Sequence, residues 1–101
     1  MNQNTPEMRP APQMVTAYSN LARIAHSPAD FVIDFAHWLP GEAQAWIQAR
    51  ILLSPLSAKL LLRALSENLA RYEAAFGEIS IPGGGPSLAD LLFHPSPDDK
   101  P

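Results

Sequence analysis

The chain has 101 residues, 47% of them apolar and 17% charged, with a net charge of −3 and no cysteine. Those values fit one small globular domain and exclude disulfide staples and thiolate metal centres. They also leave no excess of basic side chains for nucleic acid, since residues 14–81 hold five basic residues against six acidic ones. No apolar run reaches the length of a membrane span, and the start of the chain lacks the basic and apolar regions of a secretory signal. The expected compartment is the cytoplasm, without a membrane.

Most of the eleven prolines fall near the two ends. Proline removes a backbone donor and interrupts regular structure, so residues 1–13 and 82–101 read as tails around a single domain at residues 14–81. A unit of that size buries only about 60% of its unfolded surface and is marginal without a staple or a partner.

In chain order, residues 17–26 form a first strand candidate that ends on Ser27-Pro28-Ala29-Asp30, good turn chemistry. Residues 31–39 are rich in aromatic and β-branched side chains, with large apolar residues at alternate positions, the period of a half-buried strand. A third run, residues 45–53, follows a loop of hairpin length containing Pro40-Gly41. A symmetric hairpin pairs Phe31 with Leu53, Ile33 with Ile51, Phe35 with Ala49 and His37 with Ile47. On the other face it sets Asp34 against Arg50 and Trp38 against Trp46. The first turn sets Ile24 against Ile33 and Arg23 against Asp34, which makes an Arg23–Asp34–Arg50 charge row across three strands.

The helix signals come next. Ser54 suits an N-cap, Pro55 the first helical position and Gly77 a left-handed stop. Ala58, Leu61, Leu62, Leu65, Leu69, Tyr72 and Phe76 share one stripe, with Lys59, Arg63, Glu67 and Arg71 opposite. The predicted fold is therefore α+β: a three-stranded antiparallel meander followed by one long amphipathic helix packed on one sheet face. Leu65, central in the stripe, is expected to be buried. Leu56 and Leu60 project toward the polar side and suggest a subunit contact.

Reactive sites are hard to assemble. His26 and His37 lack carboxylates at metal-ligand spacing, and strand parity separates His37 from Asp34, which defeats a Ser19/His37/Asp34 triad. Gly83-Gly84-Gly85 has no following lysine and fits a linker better than a phosphate loop. No catalytic residue, metal or cofactor is expected. Residues 87–93 hold a short apolar segment that reads either as a turn or a segment packed on its own domain, or as a motif whose Leu88, Leu91, Leu92 and Phe93 anchor in a partner's groove.

The residues Tyr18-Ser19-Asn20-Leu21, His26-Ser27-Pro28-Ala29-Asp30-Phe31, Asp34-Phe35, Arg50-Ile51-Leu52-Leu53-Ser54-Pro55, Ala58-Lys59-Leu60-Leu61, Leu65, Asn68, Tyr72-Glu73 and Phe76-Gly77-Glu78-Ile79 form a pattern. It resembles a domain-of-unknown-function family of short bacterial and archaeal proteins, over about residues 15–80. The resemblance implies a recurring prokaryotic fold and transfers no catalytic residue. The functional expectation is a non-enzymatic, self-associating protein–protein interaction module, a homodimer or higher homo-oligomer, with Trp38, Trp46, Leu56, Leu60 and the four C-terminal anchors as candidate contact residues. A small regulatory or nucleic-acid-associated protein is the alternative, and it would show a salt-sensitive basic stripe.

Overall fold

A computed structural model describes residues 5–82. It contains β1 (Leu21–His26), β2 (Phe31–His37), β3 (Trp46–Leu53) and α1 (Pro55–Phe76), in that order. The strands form one antiparallel sheet with β2 in the centre. The expected α+β meander followed by a helix is the observed chain path. The chain divides into two compact units, with the division between Leu60 and Leu61.

Each connection has a local cause. After β1, the Ser27 hydroxyl accepts from the amides of Ala29 (3.1 Å) and Asp30 (3.3 Å) and donates to the Asp30 carboxylate, while the Ser27 amide donates to the Asp30 carbonyl at 2.9 Å. This side-chain turn fixes the β1/β2 register, in which Ile24 opposes Ile33 and Arg23 opposes Asp34 as expected. After β2, the amide of Glu42 donates to the Leu39 carbonyl at 3.1 Å and Gly41 takes a φ of +84°. Proline followed by a positive-φ glycine is the signature of a type II turn.

That turn is followed by a departure from the symmetric hairpin. Phe31, Ile33, Asp34 and Phe35 oppose Leu53, Ile51, Arg50 and Ala49 as expected, but a bulge lies between Phe35 and Ala36. Beyond it Ala36 opposes Ile47 and His37 opposes Trp46. The expected His37–Ile47 and Trp38–Trp46 pairs are therefore not formed. One extra residue on β3, Gln48, exchanges the faces of everything beyond it, because side chains alternate along a strand.

In α1, the Ser54 hydroxyl accepts from the Ser57 amide at 3.1 Å and the Ser54 carbonyl from the Ala58 amide at 2.9 Å, so the cap expected at Ser54 is in place. At the other end Gly77 has a φ of +102°, and its amide donates to the Glu73 carbonyl at 2.9 Å. The Glu73 carboxylate then accepts from the amide of Ile79, which turns the chain back after the helix.

Burial departs most from the expectation. Among the described residues, the buried set is Ile33, Ala36 and Asp34. No residue of α1 is buried. Leu65, expected to sit in a core, is 53% exposed, and Phe76 is 75% exposed. The periodicity of the stripe was legible, but the burial of that stripe within the chain is not observed.

Candidate interaction surface

The most constrained side chain is Asp34, on central strand β2 and 5% exposed. Arg50, from β3, donates through Nε to Asp34 Oδ1 at 2.7 Å and through Nη2 to Oδ2 at 3.1 Å. Arg23, from β1, donates through Nη2 to Oδ2 at 2.7 Å. The expected charge row exists, with one carboxylate serving two guanidiniums. The bonds from Arg50 first, and from Arg23 second, hold the Asp34 carboxyl well below the usual carboxylate range, against the upward push of burial.

A depressed folded pKa stabilises the folded chain above the unfolded carboxylate range, which is about pH 4. That stabilisation is lost as pH falls from there toward the folded value. The urea midpoint should therefore fall between about pH 5 and pH 3 more steeply in the wild type than in Asp34→Asn. Parallel pH dependences would show that the row contributes nothing to folding.

The row has consequences for chemistry. Both Asp34 oxygens are occupied by arginine, and the Ser19 hydroxyl is directed at the carbonyls of Leu21 and Ala36, each at 3.1 Å. His37 packs edge-on against Tyr18, with ring centroids 5.2 Å apart, and His26 packs against Phe31 with the rings tilted by 32° and 5.4 Å apart. The Ser19, His37 and Asp34 side chains are thus engaged elsewhere rather than with one another. No group of three or more His, Asp or Glu among the described residues could hold a metal ion. No helix among them is long and apolar enough to cross a membrane.

The candidate contact residues fall into separate places. Trp38, just beyond β2, is held by its backbone: its amide donates to Asn20 Oδ1 and its carbonyl accepts from Asn20 Nδ2, each at 2.9 Å. Its indole N–H donates to the Glu42 carbonyl at 2.9 Å. Trp46 opposes His37 and is 61% exposed, so the two tryptophans are not a cross-strand pair. Leu56 and Leu60 are both exposed and stand one turn apart on α1. Leu88, Leu91, Leu92 and Phe93 lie outside the described residues.

Sequence reasoning missed two groups. Asn20 extends the sheet at Trp38 with a side-chain amide in place of backbone, and an asparagine before a strand is too common to have revealed this. Ile47 moves, through the bulge, to the face of Asp34 and Ala36, where Leu21, Arg23 and Ala45 complete a shallow depression around them. On α1, Leu65, Leu69, Tyr72 and Phe76 line an open apolar groove with Ile79, the residue returned by the Glu73 carboxylate. Asn68 and Arg71 complete the lining, and this solvent-facing groove is the candidate interaction site on α1.

Over residues 1–81 the chain matches the family described as "Protein of unknown function (DUF3467)". The chain belongs to this family. The match takes in the N-terminal segment that the sequence resemblance leaves out. No curated protein and no solved structure matches the chain.

Proposed function

We propose that this chain is a non-enzymatic, self-associating interaction module that acts as a homo-oligomer. The observation that carries the reading is the condition of α1: a 22-residue helix with a continuous apolar stripe and no buried residue. Helices of this length draw most of their stability from packing of an amphipathic face, and an uncovered one is marginal in water. Supporting it, the hydrophobic residues that reach burial among the described ones are Ile33 and Ala36. A second copy supplies cover at no cost in new sequence, and closed symmetric homo-oligomers are the commonest way for small soluble chains to obtain it.

Sedimentation of the full-length protein is expected to show a dimer or larger species at tens of micromolar, with a melting temperature that rises with concentration. A strictly monomeric species at several hundred micromolar, with a concentration-independent melt, would remove the reading.

A further inference from the structure

The stripe on α1 contains a narrower pattern. Ala58, Leu62, Leu65, Leu69, Tyr72 and Phe76 follow one another at spacings of four, three, four, three and four residues. This is the 3.5-residue repeat of a coiled-coil seam, in which side chains of one helix enter holes in a second. From Leu62 onward every seam residue is exposed, and Ala58 is half-buried.

The order of sizes along the seam distinguishes the two orientations of a helix pair. Run parallel, two copies would stack Phe76 on Phe76 and Tyr72 on Tyr72 at one end and leave alanine against alanine at the other. Run antiparallel about an axis at Glu67, Phe76 meets the partner copy's alanine at 58, Tyr72 meets leucine, and Leu65 meets leucine. Each bulky residue then faces a smaller one, which fills a seam of even width.

The charges sort the same way. Arg63, Glu67 and Arg71 follow at four-residue spacing on the outer face of α1, where each has an opposite charge one turn away. Lys59 and Glu73 flank the seam instead, in equivalent heptad positions. Neither has an opposite charge three or four residues away on the helix, and neither forms an ion pair among the described residues. They stand fourteen residues apart, about 21 Å along the axis, too far to meet within one helix. In the antiparallel pair, Lys59 of each copy faces Glu73 of the other, giving two symmetry-related ion pairs. In a parallel pair Lys59 and Glu73 remain far apart. Flanking charges of this kind set partner and orientation in coiled coils.

We infer that α1 is the self-association element and that it pairs antiparallel with α1 of a second copy, around a two-fold axis near Glu67, with Lys59–Glu73 contacts at both ends. This rests on the self-association proposed above and specifies its geometry. The apolar groove of Leu65, Leu69, Tyr72, Phe76 and Ile79 receives the first half of the second copy's helix.

The test uses charge reversal in the full-length protein. Lys59→Glu places two acidic residues beside the seam and Glu73→Lys two basic ones, so each variant by itself should dimerise about ten-fold or more weakly than wild type. Mixed one to one, the two variants should form a heterodimer tighter than either variant with itself, because both of its contacts are again of opposite sign, although Glu73→Lys also removes the carboxylate that accepts from the Ile79 amide. Single cysteines report orientation independently in a chain that has none. Ser66→Cys, beside the axis, should oxidise to a covalent dimer, while Ala58→Cys, whose two copies lie about 27 Å apart along an antiparallel pair, should not.

A wild-type protein that stays monomeric would overturn both this inference and the self-association beneath it. A wild-type dimer that ignores charge reversal, or that crosslinks through Ala58→Cys and not Ser66→Cys, would overturn the antiparallel helix pair and leave self-association standing.

Discussion

Leu65→Ala should weaken self-association about ten- to hundred-fold while leaving the dissociated chain about as stable as before. In the single chain Leu65 is 53% exposed, so truncation there leaves no internal cavity. In the antiparallel pair it meets Leu69 of the second copy next to the two-fold axis, and symmetry counts the loss twice. Full burial of a leucine side chain is worth about 1.5–3 kcal/mol, and association covers the exposed half of Leu65 in each copy, so the two together amount to about 1.5–3 kcal/mol, or ten- to hundred-fold in Kd. The measurement is a dissociation constant by sedimentation equilibrium, paired with thermal melts over a hundred-fold range of concentration. A loss of stability that is the same at every concentration would show instead that Leu65 is covered by its own chain.

Ile33→Ala should behave in the opposite way. Ile33 lies at the middle of the central strand and is 8% exposed, with Ile24 opposite on β1 and Ile51 opposite on β3. Removing three carbons from a site buried within the chain should cost about 2–4 kcal/mol, the transfer term plus the unrelaxed cavity. That is a large share of what a domain of this size can hold. The loss should appear equally at low and high protein concentration, in urea midpoints as in thermal melts. Comparable stability of variant and wild type would show that the sheet's centre is not where the chain's own core lies. The pair of substitutions thus separates stability held within the chain from stability held between chains.

The membership of this chain in a family of unknown function means that its role must be argued from surfaces. Within the sheet, the one charged buried side chain among the described residues is fully matched by two arginines. A carboxylate so held is poorly suited to proton transfer at neutral pH, because its pKa lies far from the working range. Its fit is to fixing strand order: Asp34 is satisfied only where β1 and β3 both flank β2 in this register, and a one-residue slip would move it away from both guanidiniums.

Much of this architecture was legible in the sequence because its causes are local. Ser27 folds the first turn through its own hydroxyl, so the whole β1/β2 register follows from four residues. Ser54, Pro55 and Gly77 set the ends of α1 through neighbouring backbone groups, and the Arg23–Asp34–Arg50 row follows from strand pairing and side-chain chemistry together. The alternation in β2 and the helical period of α1 likewise needed nothing beyond residue order.

What the tertiary structure decided lies where several segments compete. The Gln48 bulge in β3 lies between the Pro40-Gly41 turn and the pairing of Asp34 with Arg50, and a strict alternation of faces along the strand cannot contain it. It separated Trp38 from Trp46 and brought Ile47 to the face of Asp34 and Ala36. Burial was decided in the same way. A stripe records which side of a helix is apolar, but whether that side is covered depends on the surface brought against it, and within this chain Leu65, Leu69 and Phe76 remain open to solvent.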